Sequence, residues 1–158
     1  MTAKLFVEGA GPTELQRARC REAFAEFFKT AGIANRPRVV ACGGRGHAFN
    51  NFATAVRLNR PDELPLLLVD SEVELTNIDT PWKHLREHDG WIKPNGATDN
   101  QVFLMVQVME TWFLADQDAL MRVFGSQCDC SAIPKWPKLE VVSKVDVLRS
   151  LMKCTHNC

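Results

Sequence analysis

The chain has 158 residues, 46% of them hydrophobic and 24% charged, and carries no formal net charge. This is the make-up of an ordinary soluble globular protein, long enough for one domain with a real core. No apolar run approaches the ~18 residues of a membrane span, and no signal peptide is visible. Six cysteines without a secretory signal therefore point to free thiols in a reducing cytoplasm.

Lys4-Leu5-Phe6-Val7-Glu8-Gly9 is a short apolar run that predicts a buried strand ending on a carboxylate. Thr13 and Gln16 form a capping-box pattern. The helix it opens is expected over about Glu14–Ala31, burying Leu15, Cys20, Ala23, Phe24, Phe27, Phe28 and Ala31, with Gly32 as its stop. Arg38 to Cys42 reads as a second strand. Gly43-Gly44-Arg45-Gly46-His47 follows, and a helix is expected from near His47 to about Leu58, burying Phe49, Phe52, Ala53 and Val56. A glycine loop feeding a helix N-terminus suits a phosphate, with Arg45 adding charge, though a tight strand-to-helix turn explains the same residues. It is neither a Walker A loop nor a dinucleotide fingerprint.

Pro65 to Val69 is continuously aliphatic, as in a strand buried on both faces, and runs out into Asp70-Ser71-Glu72. The order β-α-β-α-β argues for a parallel sheet with right-handed crossovers. A short helix is expected over Pro81–His88, with His84 and His88 on one face. A surface helix with two histidines outweighs zinc here, because no H-E-x-x-H is present. Val102 to Val106 is a fourth apolar run. Met109 to Asp116 reads as a helix start and turn, and a further helix runs from Asp118 to Phe124, ending at Gly125. Glu110 and Asp116 are acids among Trp and Phe, where isolated burial is costly, so each is expected to be paired or a ligand. The last amphipathic segment, about Ser143–Lys153, has Val145, Leu148, Leu151 and Met152 as its apolar face. Cys128, Cys130, Cys154 and Cys158 have irregular spacing for a zinc site, which is the weaker reading of them.

Charge is unevenly spread. Residues 1–60 hold ten Lys/Arg against four Asp/Glu, whereas residues 61–116 hold three against eleven. An acidic middle beside a basic first third suits a metal site next to a phosphate-binding face, or simply two solvated faces.

Val7-Glu8-Gly9, Gly43-Gly44 and Asp70-Ser71-Glu72, in that order, resemble the Toprim domain of topoisomerases, primases, recombination proteins and OLD-type (overcoming lysogenization defect) nucleases. Together with Met109-Glu110-Thr111-Trp112-Phe113-Leu114-Ala115-Asp116, the run from Val7 to about Gly125 resembles a bacterial family of small Toprim-like proteins of unknown function. The resemblance implies an α/β, Rossmann-like parallel sheet of about four strands flanked by helices, a domain over 1–125 and a tail with one helix over 126–158. It implies Mg²⁺ (or Mn²⁺) on Glu8, Asp70 and Glu72, with Glu8 as ligand or general base, and Glu110 and Asp116 for a second metal. Gly43, Gly44 and Arg45 would face the phosphate. The implied partners are nucleic acid and an ABC/AAA-type ATPase, in a pairing that serves phage defence; a homo-oligomer is compatible. The family's usual D-x-D is D-x-E here. Its members run on into a basic segment, so a chain ending at Cys158 is expected to be shortened and to lack a Lys or Arg that steadies the transition state. Because the chain has no tyrosine, it cannot attack a phosphodiester as a topoisomerase does. Hydrolysis by water, as in a nuclease, is the favoured activity, and a non-catalytic partner subunit of the same fold is the alternative. A receiver-like module with Asp70 as phosphoacceptor is disfavoured, since it needs an acidic pair after the first strand and a late strand-end lysine.

Overall fold

The computed structural model describes residues 1–75 and 77–156. Four strands form one parallel sheet in the order β2-β1-β3-β4: β1 (Thr2–Val7), β2 (Arg38–Ala41), β3 (Glu63–Asp70) and β4 (Val102–Met105). The expected α/β architecture is the observed one. Each parallel pair needs a crossover, and the capped helices in the sequence provide them. β1 lies between β2 and β3, with Val7 beside Ala41 on one side and Leu68 on the other.

The chain divides into two compact units. The first comprises Met1–Val69 and Asn77–Leu104. Its core joins Phe6, Leu67 and Val69 of the sheet to Ala48, Phe52 and Val56 of α2 (Arg45–Leu58) and to Trp82 and Leu85 of α3 (Pro81–Asp89). Side chains alternate along a strand, so Leu5, Val7 and Leu68, also buried, belong to the other face. On that side α1 (Glu14–Thr30) packs against β2 and buries Phe24 and Phe28. Thr13 caps α1 in the expected box with Gln16. The buried stripe of α1 is narrower than expected. Leu15 and Phe27 are exposed, because a helix crossing short strands covers them along only one line of contact. α2 starts two residues earlier than expected, since extended Gly44 serves as its N-cap.

The second unit comprises Asp70–Thr76 and Met105–Cys158. It holds α4 (Thr111–Ala115), α5 (Gln117–Phe124) and α6 (Lys144–Cys154) around Val108, Leu114, Leu120, Ile133, Val142 and Val147. Ser143 caps α6 through a hydrogen bond from the Asp146 amide. The face of α6 that turns inward is only partly the expected one: Leu151 packs against this core, but the fully buried positions are others. Val147, Ser150 and Cys154 are buried, whereas Val145 and Met152 are 60% and 72% exposed. Together with Leu148 they line an open groove of about 860 Å³ beside Asp129 and His156. A serine and a cysteine close to the core took the place that hydropathy alone assigns to Val145 and Met152. Among the described residues, no helix is long and apolar enough to cross a membrane.

Candidate functional site

In the first unit, the turns after β1 and β2 are tied together. Gly9 and Gly43 exchange two backbone hydrogen bonds, of 2.8 and 3.0 Å, as an isolated antiparallel bridge. Both glycines have positive φ, +105° and +78°, which the absence of a Cβ makes inexpensive. This clasp holds the start of α2 beside the end of β1. The first turn of α2 has no capping side chain, and acidic charges lie on the side chain of its first residue.

Those charges are carboxylates gathered by Arg45. Its Nη1 donates to Glu8 Oε2 at 3.1 Å, while Nε and Nη2 donate to the two oxygens of Asp89 at 2.7 Å each. The guanidinium also lies over the Trp91 ring, 5.0 Å from its centroid, and Trp91 stacks on Phe49 at 4.3 Å. The three charged side chains are only 11–17% exposed. Burial alone pushes the Asp89 carboxyl up, but Arg45, with a smaller contribution from His88, outweighs it and holds the group below the usual carboxylate range. Burial likewise works against the charge on Arg45, and Asp89 and Glu8 more than restore it. Arg45, expected to face a phosphate, is thus anchored by two acids.

In the second unit, Asp70 closes β3 and its Oδ1 accepts the Met109 amide at 2.9 Å. Glu72 adopts φ +65°, a left-handed conformation that costs a side-chain-bearing residue energy. Its amide donates to Gln107 O at 2.8 Å, and its carboxylate accepts from Lys144 Nζ at 2.6 Å. Ser71, fully buried between the two acids, donates its amide to Met105 O and its hydroxyl to Val73 O. The backbone of 105–109 therefore orients both acids that follow β3.

Glu110 and Asp116 take other places. Glu110 precedes α4 at its N-cap position, and Asp116 caps α5 by accepting the Ala119 amide and pairs with Arg122 at 3.6 Å. Asp116 is exposed, not held among Trp and Phe as expected, because Trp112 and Phe113 themselves face outward. Among the described residues, no group of three metal-ligating side chains within mutual reach includes Glu110, Asp116, His84 or His88. The two histidines stack in parallel at 5.9 Å on α3. Cys158, weighed with the other thiols as a ligand, lies outside the described residues.

Two residues of the site escaped sequence reasoning. Asp89 is one of eleven acids in the acidic middle of the chain and carries no local sign of its bond to Arg45, 44 residues away. Lys144 reaches Glu72 across 72 residues.

The model of a domain family described as a domain of unknown function (DUF4276) matches residues 7–140, which is most of the chain, so the chain belongs to that family. No curated protein and no solved structure matches it. The family match carries no link to Toprim domains or OLD-type nucleases.

Proposed function

For this member of a family of unknown function, we propose metal-dependent hydrolysis of phosphodiesters, with DNA or RNA as substrate and with Glu8, Asp70 and Glu72 holding one Mg²⁺ or Mn²⁺. One observation carries the reading. β1 and β3 are parallel, in-register neighbours, Val7 beside Leu68, and each runs out into acid at the sheet edge where α/β folds bind ligands. Carboxylate oxygens are the hard donors such ions take. Bound there, the ion would polarise a phosphate oxygen and acidify a water molecule. Glu8 would serve either as a ligand of the ion or as the base that takes the proton from the attacking water. Gly43 and Gly44, at the positive end of α2, leave backbone room for a phosphate group. Arg45, fixed by Asp89, offers its charge to the phosphate oxygens. Lys144 neutralises Glu72 until a cation takes that carboxylate. Asp116 is committed to capping α5, and neither it nor Glu110 belongs to a group of three metal-ligating side chains within mutual reach among the described residues, so the reading is of one cation and not two.

The strand-end acids are similar to those of Toprim domains, and with that likeness come a partner ABC/AAA-type ATPase and a setting in phage defence. A specific observation favours the second reading, a non-catalytic partner subunit. Both glutamates are already ion-paired, Glu8 with Arg45 and Glu72 with Lys144.

The test is cleavage of labelled single- and double-stranded DNA and RNA with Mg²⁺ or Mn²⁺, with chelator as control. Cleavage by wild type that is lost in folded Glu8→Gln and Asp70→Asn supports hydrolysis at this site. Undiminished cleavage by both variants, or an inert wild type, contradicts it. Retention of an ATPase partner by an inert wild type and both variants establishes the second reading.

A further inference from the structure

In the second unit three thiols converge. Cys128 and Cys130 flank the turn before the short 3-10 segment Cys130–Ala132, and Cys154 ends α6. Their sulfurs form a triangle with sides of 3.6 Å (Cys128–Cys130), 3.8 Å (Cys130–Cys154) and 2.8 Å (Cys128–Cys154). The backbone is built to the same end, since the Asp129 amide donates to Cys154 O at 2.9 Å. Cys128 and Cys154 are buried in the unit's core, and Cys130 lies at its edge.

From this geometry we propose that Cys128, Cys130 and Cys154 bind a zinc ion as three thiolate ligands. In a tetrahedral site with Zn–S bonds of about 2.3 Å, neighbouring sulfurs stand about 3.8 Å apart. Two sides of the triangle already match, and the third opens by about 1 Å when the ion enters, a side-chain adjustment. A disulfide satisfies only two thiols and leaves the third against the bond, whereas a metal uses all three. The all-sulfur donor set selects a soft or borderline ion over Mg²⁺. It is therefore independent of the carboxylates assigned to hydrolysis.

The role is structural. The second unit is small, and a metal linking the end of α6 to the 128–132 turn supplies the closure that so limited a core needs.

The test uses the full chain expressed in zinc-supplemented medium and purified under reducing conditions without chelator. Elemental analysis is expected to find about one zinc per chain, released by a thiol-blocking mercurial. Replacement by Co²⁺ is expected to give the sulfur-to-cobalt charge-transfer absorption of a thiolate site. Cys128→Ser and Cys154→Ser are expected to lose it, while Cys42→Ser and Asp70→Asn keep it. Should a cysteine variant fail to fold, the cobalt spectrum of wild type decides alone. A reduced wild type that retains no zinc and gives no charge-transfer band overturns the proposal. So does a Cys128–Cys154 disulfide in the chain as isolated from the reducing cytoplasm, or equal loss of metal in Cys42→Ser.

Discussion

Arg45 and Asp89 meet in a two-pronged ion pair, Nε to Oδ1 and Nη2 to Oδ2, both at 2.7 Å and both largely out of water. Bidentate geometry of this kind is the strong form of the Arg–carboxylate contact. Removing Asp89 takes away the bidentate partner of Arg45 and leaves Glu8 as the carboxylate of this trio that faces the buried charge. Asp89→Ala is therefore expected to destabilise the chain by about 3 kcal/mol, read from the urea midpoint. It should also loosen Glu8, because Arg45 is what Glu8 and Asp89 share. A loss under about 0.5 kcal/mol contradicts an anchoring role, being within the range of ordinary surface changes.

The same pair sets a pH dependence. The folded Asp89 carboxyl lies below its unfolded value of about 4. Its contribution is fully present above the unfolded value and is lost as pH falls through the folded one. Wild type is expected to lose stability below about pH 4, and Asp89→Asn to lose less over the same window. Parallel acid limbs in the two proteins exclude the pair as the cause.

Glu72 holds a left-handed backbone, φ +65°. Relief of that strain is worth about 1–2 kcal/mol, against the roughly 0.5–1 kcal/mol of extra chain entropy a glycine loses. The variant also gives up the Lys144 pair, so Glu72→Gly is expected to leave the melting temperature nearly unchanged while weakening divalent-metal binding. A variant that melts lower and binds metal normally reverses both halves of the argument.

Lys144 holds the Glu72 carboxylate and would compete for it with a bound cation. The lysine is 43% exposed, so solvent screens the pair and its worth is about 0.5–1 kcal/mol. Lys144→Ala is expected to tighten Mg²⁺ binding about two- to fivefold in calorimetry. Weaker binding assigns Lys144 to the ligand instead.

On α6, Val147 is buried and Val145 is not. Val147→Ala is expected to cost about 2 kcal/mol in a thermal or urea melt, and Val145→Ser under about 0.5 kcal/mol. Similar losses at both positions return α6 to the face that hydropathy assigned to it.

Much of the fold was legible because its signals are local. The aliphatic runs became β1 to β4, and Thr13 with Gln16 opened α1. Helix faces were less legible. On α1 and α6 hydropathy named Leu15, Phe27, Val145 and Met152, but burial depends on which line of the helix meets its neighbours. Glu8, Asp70 and Glu72 stood out as acids ending apolar runs. Asp89 and Lys144 did not, since ion pairs across 44 and 72 residues leave no periodic trace. Cys128, Cys130, Cys154 and Cys158 were weighed together as zinc ligands, but their irregular spacing made that the weaker reading. Their meeting depends on how α6 folds back to the turn at Asp129, which spacing does not encode.

The central claim is a divalent-metal site at the ends of β1 and β3. Its most direct test is calorimetric titration of Mg²⁺ and Mn²⁺ into wild type and Asp70→Asn, with any thiol-bound zinc left in place. The account predicts one saturable site in wild type, weakened at least about tenfold in the variant. No saturable binding in wild type, or equal binding by both proteins, contradicts it.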